Sequence, residues 1–116
     1  MWKIEIHRVL RGLLLFLFAG SLMSFTLVID AGHGGDDFGA IGSIQGVKEK
    51  DLNLQVAKQL AAVIRAKYPE VKVVLTRETD VFLPLQQRAD IANKNHADLF
   101  ISIHTNAAEN RKAQGA

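Results

Sequence analysis

The chain has no cysteine among its 116 residues. Disulfide bridges, cysteine-ligated zinc fingers and a cysteine nucleophile are thereby excluded. It also lacks an excess of one charge over most of its length. Of 14 basic and 12 acidic residues, Lys3, Arg8, Arg11 and Glu5 fall in residues 1–24, which leaves 11 of each sign over residues 25–116. The pI near 9.1 therefore comes from the N-terminal segment. A basic patch of the kind that binds nucleic acid is not expected on the folded part. Internal repeats and low-complexity tracts are absent from the sequence. The apolar run Gly12–Gly20 (GLLLFLFAG) is too short to span a bilayer comfortably. What remains, 48% hydrophobic and 22% charged, has the composition of one modest globular domain.

The first 24 residues read as an export signal. Met1–Arg11 is short and positive, Gly12–Gly20 is apolar, and Ala19 and Ser21 fit a small-x-small cleavage site after Ser21, with Ser24 as a second position. This predicts a signal peptide over residues 1–24 and a location in the periplasm or cell envelope. Leu22, Met23 and Phe25 prolong the apolar stretch, so an outward-facing membrane anchor is the alternative, and a buried first helix a third reading. At the other end, Asn110–Ala116 (NRKAQGA) is polar and small, and no closing element follows it. The domain expected over residues 25–116 is accordingly read as incomplete at its C-terminus.

Hydrophobic patterning divides residues 25–106 into alternating elements. Phe25–Asp30 (FTLVID) is a compact run of β-formers and predicts a buried strand. Ala31–Gly46 is glycine-rich and predicts a loop. Lys50–Tyr68 predicts a helix with Leu52, Val56, Leu60 and Val63, joined by Ala57 and Ile64, on its apolar face. Pro69 stops it. Val71–Leu75 predicts a second strand. Pro84–Asn95 predicts a second helix, with Leu85, Ala89 and Ala92 inward and Arg88 and Asp90 toward solvent. Asp98–Ile103 (DLFISI) predicts a third strand. This β-α-β-α-β order implies an α/β fold with a parallel sheet. Such sheets bind ligands at the carboxyl ends of their strands.

Both histidines of chemical interest lie just beyond such ends. His33 sits in Gly32-His33-Gly34-Gly35 after the first strand, and His104 follows the third directly. Strand order 2-1-3, with the first strand central, makes them neighbours about 4.8 Å apart at their strand ends. Glu49 opens the first helix on the same edge. A His/Glu/His set with an open fourth position is the ligand set of hydrolytic zinc sites. Taken singly, each residue has a plainer reading. Glu49 suits a helix N-terminus, and no short metal motif such as H-E-x-x-H is present. His7 falls in the leader, and His96 at the end of the second helix reads as structural. Asp30 and Asn106 flank the histidines and are candidates to hold their second ring nitrogens. The glycine loop lacks the GK[ST] ending of a P-loop and the G-x-G-x-x-G count of a dinucleotide fold. His-Gly-Gly after a strand also suits the oxyanion loop of an α/β-hydrolase, yet the G-x-S-x-G nucleophile elbow is missing.

Five segments in order then resemble one known family: Val28–Gly35 (VIDAGHGG), Glu49–Leu54 (EKDLNL), Val74–Asp80 (VLTRETD), Arg88–Asn93 (RADIAN) and Ala97–Ala107 (ADLFISIHTNA). Together they resemble the amidase-3 type of zinc-dependent N-acetylmuramoyl-L-alanine amidases, over Phe25 to about Gly115. The resemblance implies hydrolysis of the amide between N-acetylmuramic acid and L-alanine in peptidoglycan, in cell-wall turnover and daughter-cell separation. It implies one Zn2+ ion held by His33, Glu49 and His104, and leaves any activating protein and the oligomeric state open. The family's general base is a glutamate late in the domain, after a further strand. Glu109 is the only acid beyond His104 and does not match that motif, so the catalytic residue is unassigned and the chain by itself is expected to be weakly active or inactive. The alternatives are a non-catalytic peptidoglycan-binding remnant and an α/β-hydrolase fragment.

Overall fold

The computed structural model describes residues 24–42 and 46–106. Residues 1–23 of the leader expected over 1–24, Glu109 and the Asn110–Ala116 tail lie outside the described residues. Strand β1 (Thr26–Ala31) is buried along its whole length. It is followed by helix α1 (Glu49–Lys67), strand β2 (Lys72–Leu75), helix α2 (Leu85–Lys94) and strand β3 (Leu99–Ile103). No boundary differs from the sequence expectation by more than one residue, and the C-terminal ends of β2 and β3 coincide with it. Among the described residues no helix is long and apolar enough to cross a membrane.

The three strands form a parallel sheet in the order β2-β1-β3, the order expected from the two histidines. Continuous β-branched runs such as Val28-Ile29 suit a strand covered on both faces. Leu27, Ile29 and Ala31 of β1 pack with Ala57 and Ala61 of α1, and Leu54, Leu60, Ile64, Val73, Leu75, Ile101 and Ile103 close around them. Val28 and Asp30 point to the opposite face, which α2 covers through Arg88.

Two helix faces differ from the expected ones. In α1 the buried residues are Glu49, Lys50, Asn53, Ala57 and Ala61, whereas Leu52, Val56 and Val63 are exposed. The helix is rolled by its polar end: Asn53 donates to the Gly32 carbonyl, and Glu49 is drawn into the loop that follows β1. The small Ala57 and Ala61 then let the helix approach the sheet closely. In α2 Leu85, Ala89 and Arg88 are reversed from their expected faces, and Asp90, expected toward solvent, is half-buried. Arg88 is 4% exposed and Leu85 85%, while Ala89 is exposed and Ala92 half-buried. Apolar patterning failed here because a buried ion pair, Arg88 Nη1 to Asp30 Oδ1 at 2.7 Å, sets the rotation of the helix.

Helix α2 ends as the structural reading of His96 implies, through backbone rather than side chain. His96 adopts φ +50°. Its N–H bonds to the Asn93 carbonyl, and that of Ala97 to the Ala92 carbonyl, at 3.0 and 3.1 Å. This left-handed residue with paired 5→2 and 6→1 bonds is a Schellman cap.

Candidate metal centre

The loop after β1 carries the first histidine in an uncommon conformation. His33 has φ +63°, followed by Gly34 at +136° and Gly35 at +57°. A non-glycine residue in the left-handed region persists only where its surroundings over-determine it. Two buried arginines do this. Arg77 donates to the carbonyls of Ala31, Gly32, Lys50 and Thr79. Arg88 donates to those of Ala31, His33 and Leu83, besides its bond to Asp30. Burial pushes the Arg77 guanidinium below its ordinary pKa.

Glu49 occupies the first turn of α1. The helix has no side-chain cap. Its first amides are satisfied by the loop instead, Glu49 N to the Ala40 carbonyl and Lys50 N to that of Phe38. The Glu49 carboxylate is almost fully buried. Its Oε2 accepts the Ala40 N–H at 2.8 Å, and its Oε1 accepts the Thr105 N–H at 3.1 Å and the Asn53 amide at 3.4 Å. Burial by itself raises a carboxyl pKa, but the Ala40 amide, Asn53, His104 and His33 outweigh it and hold Glu49 at about 2.

His104 arrives by register. Ala31 pairs with Ile103, and Gly32 N–H bonds to the Ile103 carbonyl. The His104 ring therefore lies directly over Gly32, where a Cβ would stand 2.3–2.7 Å from its atoms. Gly39 makes the second close approach: a Cβ there would stand 2.6 Å from His33 and 2.7 Å from Glu49.

The result is a convergence. His33, Glu49 and His104 each offer a ligand atom, all within 4.8 Å of one another. His33 Nε2 lies 3.3 Å and His104 Nδ1 3.1 Å from the same atom, Glu49 Oε1. The rings stand edge to face, their centroids 4.9 Å apart. The other His33 nitrogen, Nδ1, lies 2.9 Å from both oxygens of Asp37. Both nitrogens of His33 thus face carboxylates. An ionised carboxylate only accepts, so a neutral ring facing Asp37 with its N–H aims a bare lone pair at Glu49. A cation between the three groups removes that conflict, and the donor set suits Zn2+.

Asp30 and Asn106 do not take the roles expected of them. Among the described residues neither bonds to an imidazole. Asp30 accepts from Thr76 Oγ1, Ser102 Oγ and Arg88. It sits on the α2 face of the sheet, level with these groups and before the strand ends. Asn106 is exposed. The residues that sequence reasoning missed are Asp37, Asn53, Arg77 and Arg88. Asn53 had a legible signal, lying four residues after Glu49 on one helical face. A cleft of about 600 Å3 opens beside the site, lined among others by His33, Phe82, Arg88, Phe100 and His104.

Residues 27–116 match the family model described as N-acetylmuramoyl-L-alanine amidase of the amidase-3 type. The chain is 43% identical over 98 residues to N-acetylmuramoyl-L-alanine amidase AmiC of Escherichia coli O6:H1, covering 84% of this chain and 23% of that protein. It is 47% identical over 90 residues to AmiA of Escherichia coli K12, covering 78% of this chain and 30% of that one. Among solved structures it resembles the catalytic domain of CwlV, an N-acetylmuramoyl-L-alanine amidase from Bacillus (Paenibacillus) polymyxa var. colistinus. The TM-score is 0.73 at 39% identity, over 77% of this chain and 49% of that one. The chain thus spans less than a third of these two curated relatives and about half of the solved catalytic domain.

Proposed function

Because the chain belongs to the amidase-3 family of N-acetylmuramoyl-L-alanine amidases, we propose that it carries the metal-binding half of a zinc-dependent hydrolase acting on peptidoglycan. The bond attacked is the amide between N-acetylmuramic acid and L-alanine of the stem peptide. The observation that carries the reading is the meeting of His33, Glu49 and His104 at the carboxyl edge of a parallel sheet. Such an edge is where α/β sheets take their ligands.

In this reading His33, Glu49 and His104 hold one Zn2+. When bound, the ion supplies a lowered pKa for water and a Lewis acid for the amide carbonyl. Glu49, held at about 2, stays ionised at every physiological pH and offers an anionic donor beside two neutral imidazoles. Arg77 and Arg88 keep the His33 loop in its left-handed turn, so the donors are positioned before the metal arrives. The cleft beside the site, within the range usual for ligand pockets of about 300–1,000 Å3, lies where a stem peptide would reach the donors. The proton transfer belongs, by family resemblance, to a late glutamate that Glu109 does not replace. The leader read in residues 1–24 and a cell-wall substrate both support a site of action outside the cytoplasmic membrane.

Zinc stoichiometry is the test of the site. The protein is expected to bind one ion, and His33→Ala and His104→Ala to lose it. Retention of zinc by both variants overturns the assignment. Release of free L-alanine N-termini from purified cell wall tests the reaction. It is to be measured on a polypeptide that extends through the family's late glutamate.

A further inference from the structure

We infer that Asp37 is a positioning residue for the metal centre: it fixes the tautomer and ring plane of His33, so that Nε2 faces Glu49 and His104. This deepens the reading above and rests on it for the identity of the metal. Asp37 reaches His33 from its own short turn. Gly34 N–H bonds to the Asp37 carbonyl at 2.9 Å, and Asp37 N–H returns to that of Gly34 at 3.1 Å. Gly34 and Gly35 provide the positive φ values that close this turn. Asp37 Oδ1 also accepts the Gly39 N–H at 3.2 Å. The carboxylate is thus anchored to backbone independently of the imidazole it meets.

Both carboxylate oxygens stand 2.9 Å from His33 Nδ1. In the neutral ring an obligate acceptor at that distance places the proton on Nδ1 and leaves Nε2 as a lone pair. Nε2 is the atom 3.3 Å from Glu49 Oε1. A carboxylate on the far nitrogen of a ligating histidine orients the ring and raises its basicity. His104 has no second carboxylate of this kind among the described residues; its ring is held instead by the close approach over Gly32. The two imidazoles are therefore positioned by different means: both meet Glu49, and only His33 has a further carboxylate on its other nitrogen among the described residues. The Asp37 side chain is 44% exposed, so its removal deletes an orienting group rather than a core contact.

Two measurements on the full chain test this. Long-range proton–nitrogen correlation spectra of the metal-free protein read the His33 tautomer. Competition with a chromophoric chelator reads the zinc Kd. Wild-type protein is expected to show the Nδ1–H tautomer at His33. Asp37→Ala should lose that bias and weaken zinc by about 10–100-fold. Asp37→Ser, whose hydroxyl still accepts the Gly39 N–H but is too short to reach the ring, should behave like Asp37→Ala while keeping the turn. It decides the matter if the alanine variant does not fold. Asp37→Glu restores a carboxylate and should recover the tautomer and most of the affinity. A folded Asp37→Ser protein with the wild-type tautomer and a zinc Kd within about twofold of wild type overturns the inference, as does a glutamate variant no better than alanine. His33→Ala separates the two readings. Unchanged zinc binding in that variant refutes the metal centre, while the metal-free tautomer still decides the role of Asp37.

Discussion

The close approaches at Gly32 and Gly39 make the candidate site sensitive to single methyl groups. At Gly32 the conflicting atoms belong to the His104 ring, which is partly exposed and has solvent on its outer side into which to give way. Gly32→Ala is therefore expected to leave the fold nearly as stable as wild type but to displace His104. Zinc affinity should fall by at least about tenfold, an imidazole ligand having been moved from its place. Thermal melting and chelator competition on the same sample separate the two effects. Asp30 behaves in the opposite way, since its partners are structural. Burial opposes its ionisation, but hydrogen bonds from Thr76, Ser102 and Arg88 together with the Arg88 charge lower its pKa below the ordinary 3.8. A depressed folded-state value means the stabilisation is complete above the unfolded pKa and is lost as pH falls through the folded one. Asp30→Asn strands the Arg88 cation in a buried site and should cost about 3–5 kcal/mol, as breaking a buried pair commonly does. Urea titrations at pH 7 and pH 3 check both: wild type should lose stability toward pH 3, and the variant should lose less by the share of Asp30, the Glu49 share remaining.

Helix α1 shows how far an element can depart from its apolar periodicity. It has two apolar stripes, and only one meets the sheet. The stripe of Ala57 and Ala61 lies in the core, where added volume and a polar amide are both unfavourable. Ala61→Gln should destabilise the protein by about 1–3 kcal/mol. Val63→Gln, two positions further and exposed, should fall within about 0.5 kcal/mol of wild type. Equal effects in chemical denaturation would show that the helix is not rolled as described. Helix α2 rests on fewer apolar contacts, and its tie to the sheet is the Arg88 fork to Asp30, Ala31 and His33. That one side chain therefore joins the helix to the metal loop.

At the scale of the whole fold, the main feature is an apolar region exposed along one side among the described residues. Phe82, Leu85 and Phe100, which line the cleft, are all more than one-third exposed, and β3 pairs with β1 alone among the described residues. The chain spans about half of the solved CwlV catalytic domain. A polypeptide confined to residues 25–116 is expected to associate in solution through this face and to hydrolyse cell wall poorly. General acid–base catalysis typically contributes about 10²–10⁴-fold in rate. Light scattering and an assay for released L-alanine N-termini measure the two. Monodisperse protein with turnover equal to that of a polypeptide carrying the late glutamate would show that neither the added strands nor that glutamate is needed.

Local chemistry determined much of this by itself. The β-branched runs, the helical spacing and the glycine punctuation located every described element to within a residue. The positions of His33, Glu49 and His104 after strand ends and at a helix start singled them out as ligand candidates, because a parallel sheet puts those places on one edge. Which face of each helix turned inward was decided only in three dimensions. Apolar periodicity assumes that burial follows hydrophobicity, and in α1 and α2 buried hydrogen bonds from Asn53 and Arg88 overrode it. The same holds for the partners of the histidines. Asp30 was the nearer acid along the chain to His33, but the pleat turned it to the other face of the sheet. Asp37, four residues beyond His33, came into contact because three consecutive positive-φ residues folded the loop back on itself. Loop curvature of that kind depends on distant clamps, here Arg77 and Arg88 from other elements, and no local pattern encodes it.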